Sequence, residues 1–216
     1  MQRRDFSIRL AGAGLGLAAA GMARAQGAPV EGTHYVRLST PAPVTLSAPD
    51  KKIDVVEFFW YGCPHCFAFE PVLDNWTKSL PADVALRRVP VGFAVPHQMH
   101  QKLYYALEET GFLATLHRRV FNAIHQQGVR LNTDAEISAF ISGNGGDGTK
   151  VVEAMKGFAV NTKATRARQL SEAYKIDGVP ALGIQGRFNT SASLAGSHEK
   201  AVAVADFLIQ RSRQKA

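Results

Sequence analysis

The sequence predicts an α/β fold whose core is interrupted by a block of helices. Three observations carry this prediction. The apolar run Ile53-Asp54-Val55-Val56-Glu57-Phe58-Phe59-Trp60-Tyr61 leads directly into Cys63-Pro64-His65-Cys66 and then into a helical stretch. From Gln98 to about Lys175 the apolar residues recur at helical spacing. After that block the chain returns to a strand, Val179 to Ile184, and a closing helix, Glu199 to Arg211.

The elements follow in order. Residues 26 to 50 are rich in Pro, Ala, Ser and Thr and read as loop, with Tyr35-Val36-Arg37-Leu38 as a short edge strand. Residues 53–61 are short, apolar, and rich in β-branched and aromatic side chains, with Gly62 after them; they read as a central buried strand. Pro64 suits the first turn of a helix, where its missing N–H would have no partner in any case. That helix runs to about Lys78, and Pro71 inside it is expected to kink it. Val84 to Val91 reads as a second strand. In the helical block, Leu103, Ala106 and Leu107 share a face, as do Leu113, Leu116, Val120 and Phe121, and then Ile137, Phe140 and Ile141. Thr133, just before Asp134 and Glu136, is a candidate N-cap. Gly143 to Gly148 is a break, and a long helix from Thr149 to Tyr174 has a candidate interruption at Gly157. Gly186 reads as a turn. The partition is therefore an α/β domain over residues 26–95 and 176–216, with a helical domain inserted over 96–175.

The 216 residues carry a formal charge of +7, of which +3 lies in the first 25 residues, where Arg3, Arg4, Arg9 and Arg24 face only Asp5. The remainder is mildly basic and has no Lys/Arg run with interleaved aromatics, so nucleic acid is not an expected partner. The same N-terminal residues read as a cleavable export signal. Cationic residues accompany a small and apolar stretch from Leu10 to Met22, and Ala23-Arg24-Ala25 offers small residues for cleavage after Ala25. Arg3-Arg4-Asp5-Phe6 also fits a twin-arginine signal, so the export route stays open between that and ordinary secretion.

Cys63 and Cys66, the two cysteines of the sequence, close too small a ring to stabilise the fold by loop entropy, so chemistry explains them better than stapling. Attack on a disulfide needs a thiolate. At the start of a helix, Cys63 faces unpaired backbone N–H groups and the positive end of the helix dipole, and His65 can add a positive charge or a hydrogen bond. Cys66, one turn further in, keeps a higher pKa and serves as the resolving thiol. Stabilising the thiolate favours the reduced form and makes the disulfide more oxidising. Zinc would need two further ligands; His97 and His100 have the spacing to contribute, but no second cysteine pair exists. Haem attachment would need a histidine where Phe67 stands. No metal and no cofactor is expected.

Residues 57–66, Glu-Phe-Phe-Trp-Tyr-Gly-Cys-Pro-His-Cys, together with Gly178-Val179-Pro180-Ala181, resemble the DsbA family of bacterial periplasmic dithiol oxidases. The resemblance covers most of the chain beyond the signal. It implies a thioredoxin fold with an inserted helical domain, and a cis Pro180 that leaves the Val179 backbone able to pair with an extended substrate. It implies that Glu57 is the buried acid beneath the site, relaying protons to and from Cys66; a strand-end residue pairing with Lys78 is the alternative. Tyr61 is a candidate exposed contact for clients. The expected partners are folding exported proteins with paired cysteines and a DsbB-like membrane quinone reductase that reoxidises the dithiol, with the protein a monomer in the periplasm. A reductase or isomerase of the same fold is the competing enzyme, and a peptide-binding holdase with an inert disulfide is the competing non-enzyme.

Overall fold

The computed structural model describes residues 27–46 and 53–214. The expected signal, residues 1–25, lies outside the described residues. β2 (Ile53–Phe59) is buried along its whole length, as an apolar strand covered on both faces must be. It pairs in parallel with β3 (Val84–Pro90) and antiparallel with β4 (Ala181–Ile184). β4 turns into β5 (Phe188–Ser191) through Gln185 and Gly186, with φ of 51° and 63°. Two successive positive φ values, with Arg187 N donating to Ile184 O at 3.0 Å, make a tight hairpin turn. Gly186 is doubly required there, because a Cβ would stand 2.3 Å from the Ala42 carbonyl oxygen. β1 (Val36–Arg37) pairs antiparallel with β5, completing the sheet order β1-β5-β4-β2-β3.

α1 (Pro64–Lys78) follows β2 and runs through Pro71 as one helical element. Pro71 removes the N–H that would bond the Phe67 carbonyl, but buried Cys66 and Phe69 before it and Leu73 and Trp76 after it hold both halves against the core. Five helices lie between β3 and β4: α2 (Val95–Glu109), α3 (Leu113–Gln127), α4 (Asp134–Gly143), α5 (Gly148–Lys156) and α6 (Phe158–Ala173). Thr133 caps α4 in a reciprocal arrangement with Glu136. Gly157, in an extended conformation, separates α5 from α6. The short α7 (Ala192–Ala195) and α8 (His198–Arg213) close the chain.

The sheet divides the core in two. Val56 and Phe58 pack in the cluster that contains the five inserted helices. Ile53 and Val55, on the opposite face, pack with Phe69, Leu73 and Trp76 of α1 and with Leu208 and Ile209 of α8. The same alternation sorts two buried acids. Asp54 and Glu57 are three residues apart and so face opposite ways, as do the neighbours Arg87 and Arg88 on β3. Arg87 Nε lies 2.9 Å from Asp54 Oδ1, and Arg88 Nε lies 2.8 Å from Glu57 Oε2.

β5 and α7 are absent from the sequence reading. Phe188-Asn189-Thr190-Ser191 shows no apolar alternation; it is a strand because the hairpin turn delivers it to β4 on one side and β1 on the other. No helix among the described residues is long and apolar enough to cross a membrane.

Candidate active site

A tight turn joins β2 to α1. Cys63 N donates to Trp60 O at 3.0 Å, which makes Tyr61 and Gly62 the central residues of the turn. Gly62 is there for space: a Cβ would stand 2.3 Å from Cζ2 of the Trp60 indole, which lies across it. Cys63 is the N-cap of α1, and its sulfur accepts from the Cys66 backbone N–H at 3.4 Å. Pro64 opens the helix in the first turn, as its missing N–H allows.

The two thiols, both free in this structure, are driven apart. Cys63 is lowered from 9.0 to about 6; a hydrogen bond from the Cys66 thiol is the main cause, and it works against partial burial with help from the backbone N–H groups of Cys66 and His65 and the charge of His65. Cys66 is pushed well above the ordinary thiol range, first by burial and then by its hydrogen bond to Cys63. At neutral pH the ionisation of Cys63 favours the dithiol by on the order of 1 kcal/mol after allowance for solvent screening. That is ~20 mV for a two-electron couple, in the oxidising direction.

The Val179–Pro180 bond is cis, and the Cys63 thiol lies 3.4 Å from the Val179 carbonyl oxygen. This loop and exposed His65 line a surface groove of about 420 Å³ together with Val36, Ile176 and Leu194. Beneath the motif, Glu57 is fully buried with Oε1 unpartnered. Burial lifts its carboxyl to about 8; Arg88 opposes the rise, and Glu70 and Asp74 add to it. The partner of Glu57 is thus Arg88, not exposed Lys78, because the parallel pairing sets Glu57 directly opposite Arg88. The charge of Glu57 is felt by Cys66, whose pKa it raises.

Tyr61 departs from expectation. It is 0% exposed and offers no surface to a client. The turn directs its ring beneath the motif, where it meets Phe59 at 5.2 Å and Phe121 at 5.0 Å, and its hydroxyl lies 2.8 Å from His117 Nδ1. Several neighbours of the motif escaped the sequence reading. Arg88 holds Glu57 and also Glu70, at 3.2 Å. His117 and His125 reach the turn from α3, His125 Nε2 lying 2.8 Å from Tyr61 O. The signal that could have found them is the spacing His117, Phe121, His125, which sets all three on one face of a helix. His97 and His100 pack on Trp60, with ring centroids at 4.1 and 5.9 Å.

A sheet of this order, a helix-capping cysteine with a second cysteine one turn on, and a cis-proline loop beside them define a thiol–disulfide oxidoreductase of the thioredoxin fold carrying inserted helices. Residues 54–200 match the family of DSBA-like thioredoxin domains. The chain belongs to that family. It is 39% identical over 185 residues to the thiol:disulfide interchange protein DsbA of Pseudomonas aeruginosa PAO1, covering 86% of each chain. It is 39% identical over 217 residues to the protein of the same name from Bordetella pertussis, covering 99% of this chain and all of the other. Among solved structures, it aligns with Pseudomonas aeruginosa DsbA at a TM-score of 0.80 and 39% identity, over 85% of this chain and 94% of that one. The oxidoreductase DsbA from Xylella fastidiosa aligns at 0.78 and 29% identity, over 86% and 98%.

Proposed function

We propose that the protein donates disulfide bonds to newly exported proteins with paired cysteines, through the Cys63–Cys66 couple. A client thiolate attacks Cys63 of the oxidised protein; the Cys63–Cys66 bond breaks and Cys66 leaves with the electron pair. Its raised pKa calls for a proton, and Glu57 supplies it on this reading: its carboxyl is lifted to about 8 by burial, and its charge is felt by Cys66. The second client thiol, giving up its proton to solvent, then attacks the client sulfur of the mixed disulfide. Cys63 departs as a stabilised thiolate, and two electrons have passed from client to protein. His65 serves the ionisation of Cys63 through its backbone N–H and its charge, and Pro64 opens the helix that Cys63 caps. Val179 and Pro180 flank the groove in which an extended client segment lies beside the sulfur.

On this reading residues 1–25 are removed on export, by the Sec or the twin-arginine route, and the protein acts as a monomer in the periplasm. A DsbB-like quinone-linked membrane protein returns the dithiol to the disulfide.

The observation that carries the proposal is the geometry of the two thiols: Cys63 caps α1, accepts from the Cys66 N–H and lies 3.4 Å from the Val179 carbonyl oxygen beside the cis proline, while Cys66 is fully buried one turn on. The test is equilibration of the protein with glutathione buffers. A reduction potential near about −120 mV, the established benchmark for DsbA itself, supports disulfide donation; about −270 mV marks a reductant and overturns it. Cys63→Ser is expected to abolish transfer to a reduced client, whereas a holdase would retain its client handling.

A further inference from the structure

The turn carrying Cys63 is gripped from outside the strand–helix unit that forms it. His117, Phe121 and His125 lie at four-residue steps on α3, on one face. All three meet the turn or the residues flanking it. His125 Nε2 lies 2.8 Å from Tyr61 O, and since a carbonyl only accepts, Nε2 bears the hydrogen. The same imidazole stacks on the Phe67 ring of α1, with centroids 4.9 Å apart and planes at 14°. Phe121 packs on the Tyr61 ring, and His117 faces the Tyr61 hydroxyl. The disulfide exchange described above uses none of these groups.

A bond to the carbonyl of a turn's central residue fixes the following peptide plane, here the one between Tyr61 and Gly62. That plane leads into Cys63, whose sulfur meets the Cys66 N–H at 3.4 Å, a contact that a small tilt would weaken.

We propose that His125 is a positioning residue: its Nε2–H holds the Tyr61 carbonyl so that the Cys63 sulfur stays aimed at the start of α1, and the inserted helices thereby tune the redox couple. The inference rests on the reading of Cys63 as the attacked sulfur. His117 and Phe121 buttress the same turn from the ring side of Tyr61.

The experiment compares the glutathione equilibrium and the thiolate absorbance titration of wild type, His125→Phe and His125→Gln. Phe keeps a ring on Phe67 but has no donor; Gln sets an amide N–H where Nε2 stood. His125→Phe is expected to shift the equilibrium about twofold to fivefold toward the oxidised protein, the factor that a lost helix-terminus interaction amounts to. The ionisation midpoint of Cys63 should rise with it, and Gln should restore both. A folded His125→Phe protein with wild-type equilibrium and midpoint overturns the proposal. His125→Met, of similar reach and also without a donor, decides the matter in the same way if the Phe variant does not fold. A wild-type Cys63 that ionises only near 9 overturns the functional reading as well, so the two failures are distinct.

Discussion

Replacing Glu57 by Gln should make the reduced protein more stable at neutral pH, and by an amount that grows with pH. Glu57 ionises near 4.5 in an unfolded chain and is held up to about 8 in the fold, chiefly because burial disfavours its charge. Between these values the folded protein keeps a proton that the unfolded chain has released, so unfolding becomes easier as pH rises. The penalty is absent below pH 4.5, about 3 kcal/mol at pH 7, and about 5 kcal/mol above pH 8. Gln removes the titration and keeps an oxygen for Arg88, which also retains Glu70 at 3.2 Å and Asp74 at 3.6 Å. One buried amide N–H left without a partner returns about 1 kcal/mol of the gain. The net expectation is a stabilisation of about 2 kcal/mol at pH 7, larger at pH 8, and reversed to a loss of about 1 kcal/mol at pH 4.5. Urea unfolding of both reduced proteins at pH 4.5, 7 and 8, followed by circular dichroism, measures it. A stability difference that stays flat with pH, or a Gln variant that is less stable at pH 8, would refute the account of a buried, protonated acid.

Three further outcomes follow from the packing and the caps. Alkylation of the reduced protein should be half-maximal at Cys63 near pH 6, with Cys66 unreactive below 9; equal midpoints for the two thiols would remove the asymmetry of the site. Gly62→Ala sets a methyl group 2.3 Å from the Trp60 ring, so a loss of about 1–3 kcal/mol and a changed indole emission are expected, and an unaltered spectrum would contradict the close approach. Thr133→Ala should cost about 1 kcal/mol through loss of the reciprocal cap of α4, measured by denaturant unfolding, whereas Thr133→Ser should be nearly neutral.

What could be read from the chain was what is local in it. The run from Ile53 to Phe59 announces a buried strand because each of its residues must leave water. Cys63-Pro64-His65-Cys66 announces its chemistry because helix-start electrostatics depend only on the residues at that start. Thr133 and Gly157 mark helix ends for equally local reasons. Glu57 stood out as an acid in an apolar strand, but its partner did not. Lys78 and Arg88 are equally plausible in sequence, and the parallel register between β2 and β3 is what chooses Arg88. Tyr61 carries no sign of whether it faces solvent or core; α3 decides that by bringing His117 and Phe121 beneath the turn. β5 likewise has no pattern of its own and becomes a strand through its neighbours.

The sequence by itself thus determined the main strands and helices apart from β5 and α7, the interruption of the α/β core, and the pair of sulfurs at the start of a helix. These follow from periodicity and from interactions within a few residues. The tertiary structure alone decided which arginine meets Glu57, that Tyr61 is buried, and that histidines more than fifty residues away hold the active-site turn. Those outcomes depend on register and on the docking of the inserted helices, which bring together residues distant in the chain.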